Sequence, residues 1–188
     1  KLDLYLGRLA ERGFKVAICE QTEDPKAAEG LVKREVVRVV TPGTITDSTI
    51  LNESQNNYLV GICMAKESIG LAFVDVSTGE ISATNLVGDD RLARAKSEIG
   101  AYQPAEAIIN KAGDDYIELS VFMRERFGTI ITDNAKRLYE YDKCRDNVNR
   151  AFGDDAGKLN TPELIVAVGV VLSYIEETQK IANAHTKE

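Results

Sequence analysis

The chain contains 188 residues, of which 44% are hydrophobic and 28% charged. This composition suits one globular domain with part of a second, and it excludes a disordered or low-complexity protein. The formal net charge of -7 excludes a general attraction to nucleic-acid phosphates, although a local basic contact is permitted.

The opening quarter of the chain predicts a small unit of one helix and two strands. Apolar residues recur with helical spacing from Leu2 to Leu9. The alternating stretch 14–21 and the valine-rich stretch 32–40 predict two strands that pair with each other. Because these elements make a poor independent core, we expect further residues of the unit to precede Lys1 in a longer protein.

The second of these strands is basic, which is unusual in an acidic chain. Simple alternation places Arg34 and Arg38 on one face with Val36, and Lys33 on the other face with Glu35. The three cations could contact a phosphate backbone without regard to sequence. The strand could equally present a solvated face, with Glu35 as a local partner for the positive charge.

After the Thr-Pro-Gly-Thr stretch at 41–44, the pattern predicts a three-stranded antiparallel meander and then alternating helices and strands. This order predicts an α/β fold with a mixed sheet and helices on its faces. A final helix is predicted to begin at Thr161 and Pro162, an N-cap residue followed by proline. The predicted strands are 58–65, 69–77, 79–87, 105–110 and 128–133, and the predicted helices are 89–101, 114–126 and 134–151. The apolar stripe of the third helix is Leu138, Tyr141, Cys144 and Val148.

Several motifs are too weak to indicate catalysis. The stretch 153–158, "GDDAGK", has the wrong spacing for a phosphate-binding loop and predicts an ordinary loop. The single histidine, His185, lies in a polar tail, which excludes hydrolytic triads built on histidine. The longest apolar run, 164–172, is far shorter than the roughly 20 residues of a membrane-spanning helix, so we predict no membrane span and no signal peptide.

The three cysteines are far apart and odd in number, which argues against a disulfide framework or a CxxC metal site. They favour a reducing, intracellular compartment. The cysteines are Cys19, Cys63 and Cys144.

A meander followed by alternating helices and strands is also the order of an RNase H-like fold, in which nucleases hold metal ions with clustered carboxylates. Here the first strand of the meander has no acid, the fourth strand ends in Asn110, and Asp75 lies on the second strand. Asp75 precedes a Ser-Thr-Gly turn, whose hydrogen bonds it can accept. An active metal-dependent nuclease stays open as the alternative function, but we predict no catalytic residues and no metal site.

The chain resembles the bacterial MutS family of DNA mismatch recognition proteins. The resemblance is densest over residues 5–44, where "VAICEQ", "DP" and "KREVVRVVTPGT" occur in order. It continues more loosely through "FVDVSTGE", the Phe152-Gly153 pair and "YIEETQK". The resemblance therefore covers nearly the whole chain.

This resemblance implies a partial α/β mismatch-binding domain at 1–45, an RNase H-like connector domain without nuclease activity at 46–180, and a tail toward the next domain at 181–188. It implies Pro42 and Gly43 as the interdomain turn. It also implies Lys33, Arg34 and Arg38 as DNA-backbone contact candidates. The family's Phe-x-Glu mismatch motif and its Walker A loop are absent from the sequence, so ATP and magnesium are cofactors of the parent protein only.

The partners implied by the resemblance are DNA, the remaining MutS domains, a second subunit of a homodimer, and MutL. The exposed face of the predicted helix 134–151 is our candidate for docking MutL. The implied role is a connector that links mismatch binding to the ATPase and lever parts, in the bacterial cytoplasm and associated with the nucleoid.

Overall fold

The computed structural model describes residues 2–22, 30–45, 57–113, 115–133 and 135–183. Within these ranges the chain forms a two-stranded sheet and a five-stranded sheet, both accompanied by helices. The predicted α/β class with a mixed sheet is confirmed.

The small unit consists of α1 (Leu2–Glu11), β1 (Val16–Gln21) and β2 (Arg34–Val40), and the two strands pair antiparallel as predicted. One side of α1 lies against the hairpin. The apolar core cluster of this unit consists of the buried residues Leu6, Ala10, Val40 and Ile45. Other apolar side chains of the same unit, among them Leu2 and Tyr5, are exposed. The unit therefore has a thin core of its own, and its attachment to the larger sheet matters for its stability.

A β-bulge in the hairpin separates the two arginines of the basic strand. Ile18 pairs with Arg38, whereas the next residue, Cys19, pairs with Val36, so one residue of β2 has no cross-strand partner. Cross-strand partners share a face and successive residues of β1 alternate, so Arg38 lies on the face opposite Val36 and Arg34. The predicted common face of Arg34 and Arg38 is therefore wrong, because simple alternation cannot anticipate an inserted residue.

The five-stranded sheet begins with the predicted meander. Its strands are β3 (Tyr58–Met64), β4 (Ser68–Asp75), β5 (Glu80–Val87), β6 (Glu106–Ile109) and β7 (Ile130–Thr132). Their spatial order is β5-β4-β3-β6-β7, with β3, β4 and β5 antiparallel and with β6 and β7 parallel to β3. Residues on the two faces of this sheet form separate apolar cores. The central strands are nearly all buried because helices cover both faces.

The helices lie on both sides of this sheet. They are α2 (Arg91–Tyr102), α3 (Asp115–Phe127), α4 (Tyr141–Phe152) and α5 (Pro162–Asn183). The predicted N-cap of α5 is confirmed, since the Leu164 N–H donates to Thr161 Oγ1 at 3.3 Å. α5 packs so closely on β3 that a Cβ on Gly61 would collide with the carbonyl oxygen of Ala167. No helix within the described ranges is long and apolar enough to cross a membrane.

The helix predicted at 134–151 is instead two pieces. Residues Lys136–Tyr139 form a 3-10 turn, and α4 begins only after Glu140, whose backbone is extended at φ -71° and ψ 113°. The break lets adjacent residues both reach the core: Leu138 is buried, and the Tyr139 hydroxyl donates to the Ile62 carbonyl at 3.0 Å. A continuous helix would point them about 100° apart.

Candidate junction site and basic strand

A buried carboxylate on the large sheet joins the two sheets. Glu106 begins β6, is 0% exposed, and lies on the same face as its cross-strand neighbour Leu59, toward α5. Its Oε1 accepts hydrogen bonds from the hydroxyls of Tyr174 at 2.6 Å and Thr132 at 3.1 Å. The same oxygen lies 3.2 Å from the ammonium of Lys15, which belongs to the small unit. This carboxylate therefore has the partners that a buried charge requires.

Lys15 closes the network from the small unit. Its Nζ donates to the hydroxyl oxygens of Thr132 and Tyr174, both at 2.8 Å, and lies 5.1 Å from the centre of the Tyr174 ring. Each hydroxyl thus accepts from the ammonium and donates to the carboxylate. The Lys15 side chain is 40% exposed and that of Glu106 is 0% exposed. The lysine side chain therefore lies at the edge of the network, whereas the carboxylate depends on protein partners.

The predicted interdomain turn packs into this junction. Residues Pro42–Thr44 form a 3-10 turn, and all of them are buried. The Gly43 N–H donates to Glu106 Oε2 at 3.2 Å. A Cβ on Gly43 would lie 2.9 Å from Glu106 Cβ and 3.0 Å from Leu59 Cδ1, so this close approach requires glycine. The turn is consequently a packed connection rather than an open linker.

Tyr174 brings the final helix into the same network. The residue is 7% exposed. Burial first, and then the charge of Glu106 and the hydrogen bond to it, raise the Tyr174 pKa, so the phenol stays protonated and donates at neutral pH. α5 also packs against β2 of the small unit and against β3 and β4 of the large sheet. One helix thus contacts both units and places a hydroxyl where they meet.

The structure does not gather the basic residues of β2 into one cluster. The Lys33 ammonium, on a side chain that is 68% exposed, lies 2.7 Å from Glu35, the local partner named by the solvated-face interpretation. Arg34 is exposed, whereas Arg38 is half-buried on the opposite face of the hairpin. A DNA contact stays a prediction for each of these residues separately.

Asp75 serves a turn, as predicted. Its buried carboxylate accepts hydrogen bonds from the Ser77 backbone N–H at 2.9 Å and the Ser77 hydroxyl at 2.6 Å. Within the described parts of the chain, no group of three or more His, Cys, Asp or Glu side chains could hold a metal ion. The nuclease alternative is not supported, since Asp75 and Glu106 are both engaged in structural contacts.

The remaining predicted positions lie at the surface or outside the described residues. The stretch Gly153–Lys158 forms an exposed 3-10 turn, in which Lys158 pairs with Asp155 at 2.7 Å. It is an ordinary turn, as predicted. His185 lies outside the described residues. The outer face of α4, the predicted docking surface, is exposed along most of its length.

Glu106 is not among the predicted site residues. The search for metal ligands took only the end of β6, at Asn110, into account, whereas Glu106 lies at its start. Asn110 at that end has a structural role: its side chain accepts from the Met64 N–H at 2.7 Å and donates to the Met64 carbonyl at 2.9 Å. The available signal for Glu106 was an acid embedded in the otherwise apolar segment 105–109. Acids are seldom fully buried unless they are paired, so such a residue predicts a distant cation.

Comparison with known proteins agrees with the resemblance. Residues 1–49 match the family description MutS domain I, and residues 57–187 match MutS domain II. Proteins named DNA mismatch repair protein MutS from Ruminiclostridium cellulolyticum and Acetivibrio thermocellus are 40% and 38% identical over 99% and 97% of this chain. The chain spans 21% of the length of each relative. The matched part of the chain comprises domains I and II and does not include the family's ATPase domain. The chain therefore belongs to the MutS family of DNA mismatch repair proteins, in which it corresponds to domains I and II.

Proposed function

We propose that this chain is the noncatalytic part of a full-length MutS protein that links a DNA-binding domain I to a connector domain II. The observation that supports this most is the junction at Glu106. Lys15 and Gly43, both from the part matched to domain I, contact a carboxylate that is fully buried in the part matched to domain II. A joint of this kind passes the position of one domain to the other without chemistry of its own.

We propose that the large sheet has an RNase H-like fold. Its support is the strand order, in which an antiparallel meander is followed by two strands parallel to the first. We assign no nuclease activity to it, because its buried acids hold a turn and the junction. We assign no cofactor to either domain, and place ATP and magnesium in the ATPase domain of the parent protein.

We propose that β2 contacts the DNA backbone, with Arg34 as the strongest candidate because it is exposed. In the full-length protein, Arg34→Ala should lower the slope of log affinity against log salt by about 1, as loss of one phosphate contact does. Arg38→Ala should have a smaller effect, because that side chain is half-buried. Lys33→Ala should also have a smaller effect, because Glu35 already pairs with the ammonium.

A matched control for these variants is Arg124→Ala. Arg124 is exposed on α3, so the variant removes the same charge from a different surface of the molecule. Its salt slope should equal that of the unaltered protein. If Arg34→Ala, Arg38→Ala and Lys33→Ala all leave the slope unchanged, the basic strand does not contact DNA and the solvated-face interpretation is correct.

We propose that the outer face of α4 docks MutL. Tyr141, predicted as part of the apolar stripe, instead lies at the edge of the outer face at the start of α4 and is 40% exposed; the Arg145 guanidinium carbon lies 5.7 Å from the centre of its ring. Exposed Tyr and Arg side chains are enriched in binding hot spots. Tyr141→Ala should weaken capture of the MutL amino-terminal domain by nucleotide-bound full-length protein about tenfold. Ile117→Ala, which truncates an exposed apolar residue on α3, is the control and should bind normally. Equal binding by both variants would remove α4 from the interface.

We place the parent protein in the bacterial cytoplasm, at the nucleoid, as a homodimer. Burial raises the pKa of Cys63 to about 12 and that of Cys144 to about 11. Both thiols therefore stay protonated and unreactive at neutral pH. Cys19, Cys63 and Cys144 are all free thiols, and Cys19 is exposed, which fits a reducing compartment. Sedimentation of the full-length protein tests the dimer.

A further inference from the structure

α5 is placed to control how the small unit sits on the large sheet. The helix runs 22 residues, Pro162–Asn183, and packs on β2 as well as on β3 and β4. Tyr174 lies in its second half and reaches both charges of the junction, Lys15 at 2.8 Å and Glu106 at 2.6 Å. Movement of α5 therefore acts directly on the contact between the two units.

Lys15 is the partner that can leave this network. Its side chain is 40% exposed, and a lysine ammonium on a flexible stem is readily hydrated. Glu106 cannot follow it into water, but keeps the Gly43 N–H at 3.2 Å and the Thr132 hydroxyl at 3.1 Å. Loss of the Tyr174 hydroxyl removes an acceptor of Lys15 and a donor to Glu106 together. Lys15 then keeps only the Thr132 hydroxyl at 2.8 Å and the Glu106 carboxylate at 3.2 Å, so it is held less firmly.

We infer that Glu106 and Tyr174 are positioning residues through which α5 sets the orientation of the small unit. With Tyr174 in place, Lys15 is held and the hairpin that carries the basic strand is fixed on the large sheet. A shift of α5 by about 1 Å away from Glu106 would stretch the 2.6 Å hydrogen bond to about 3.6 Å, beyond the length of such bonds, and would loosen the hold on Lys15. This inference rests on the proposed function, in which the small unit faces DNA, and adds the element that regulates it.

Hydrogen exchange of the 188-residue chain tests the inference without DNA. Tyr174→Phe removes only the hydroxyl, and should speed exchange of the β1–β2 amides about tenfold, because a hydrogen bond to a charged group is lost. Amides of β3 and β4 should exchange at their normal rate. Thr132→Val removes the second bridging hydroxyl and should act in the same direction.

The matched control is Tyr139→Phe. It removes another tyrosine hydroxyl, the one that donates to the Ile62 carbonyl at 3.0 Å, away from the junction charges. It should leave exchange in β1–β2 unchanged. The inference is overturned if Tyr174→Phe and Tyr139→Phe have the same effect on β1–β2. It is also overturned if Tyr174→Phe speeds exchange equally in β3 and β4, as a general loss of stability would.

A second measurement separates this inference from the proposed function. In the full-length protein, Tyr174→Phe should weaken DNA binding about tenfold, matching its effect on hairpin exchange, with an unchanged salt slope, because no phosphate contact is lost. Arg34→Ala should change the slope itself. If none of the Arg34, Arg38 and Lys33 variants changes the slope while hydrogen exchange responds to Tyr174→Phe, the DNA role of the basic strand is wrong and the positioning role stands. If Tyr174→Phe binds DNA normally and Arg34→Ala lowers the salt slope, the positioning role is refuted and the DNA role stands.

Discussion

A double-mutant cycle on Lys15 and Glu106 tests whether their contact stabilises the folded chain. Lys15→Met removes the ammonium and keeps a long unbranched side chain. Glu106→Gln removes the negative charge and keeps the shape of the side chain. The cycle then isolates the interaction between the two residues from the separate cost of altering each one.

The structure sets the expected magnitudes. Removing one partner of a buried ion pair lowers the free energy of unfolding by about 3–5 kcal/mol. Glu106→Gln should lie at the lower end, about 3 kcal/mol, because the amide oxygen can still accept the nearby hydroxyls. Lys15→Met should cost about 2 kcal/mol, because its site is partly open to water. The double variant should lose about 3.5 kcal/mol, which gives a coupling energy of about 1.5 kcal/mol.

Urea unfolding followed by circular dichroism measures each corner of the cycle, with the slopes compared to confirm a common unfolding reaction. The control cycle uses Arg137 and Glu177, which form a 2.6 Å ion pair with side chains 71% and 40% exposed. Its coupling should be much smaller, because water screens that pair. A Lys15–Glu106 coupling within about 0.5 kcal/mol of zero would mean that the residues act independently. The junction would then contribute nothing specific to stability.

Two further predictions concern the part matched to MutS domain II. Gly169→Ala should destabilise the chain by about 1–3 kcal/mol, because the new Cβ would collide with Cys144. Gly100→Ala, whose new Cβ would have its nearest neighbouring atom at 3.9 Å, should stabilise the chain by about 0.5–1 kcal/mol through helix propensity. Urea unfolding of both variants should therefore show changes in the free energy of unfolding of opposite sign. The pKa of Asp133 is lowered, first by the hydrogen bond from Tyr116. Its contribution to stability should therefore be complete above about pH 4 and decline as the pH falls through the lowered pKa. When urea unfolding is measured over a pH series, Asp133→Asn should make the loss of stability at acid pH less steep. An unchanged loss at acid pH would contradict this.

Local pattern was sufficient to predict most of the elements. Alternating apolar residues and the turn-prone stretches 66–68 and 77–79 predict the meander, and an N-cap threonine before proline predicts the start of α5. Two features lay beyond local pattern. The bulge between Arg34 and Arg38 follows from pairing with β1, and the break at Glu140 follows from a core that accepts both Leu138 and Tyr139. Both are set by tertiary contacts that a single segment does not contain.

The junction around Glu106 was still harder to predict from local sequence pattern. Lys15, Gly43, Glu106 and Tyr174 are widely separated in sequence, and each has an ordinary local context. Only the topology brings them together: β6 pairs beside β3, α5 crosses the same face, and the buried turn brings Gly43 against it. A buried acid in an apolar strand predicts that some cation must pair with it, but it does not say which one.

The junction between the two units uses charged side chains where an apolar contact would also be possible. A well-packed apolar contact of the same volume is often as stable as a buried ion pair, so stability alone does not explain Glu106. An apolar contact also tolerates sliding, whereas an ammonium with defined acceptors at 2.8 Å and 3.2 Å fixes one relative orientation. Of the two charged residues, the partly exposed Lys15 is the one whose release to water costs less. A polar junction therefore suits a joint that must hold the small unit in one orientation and let it go when α5 moves.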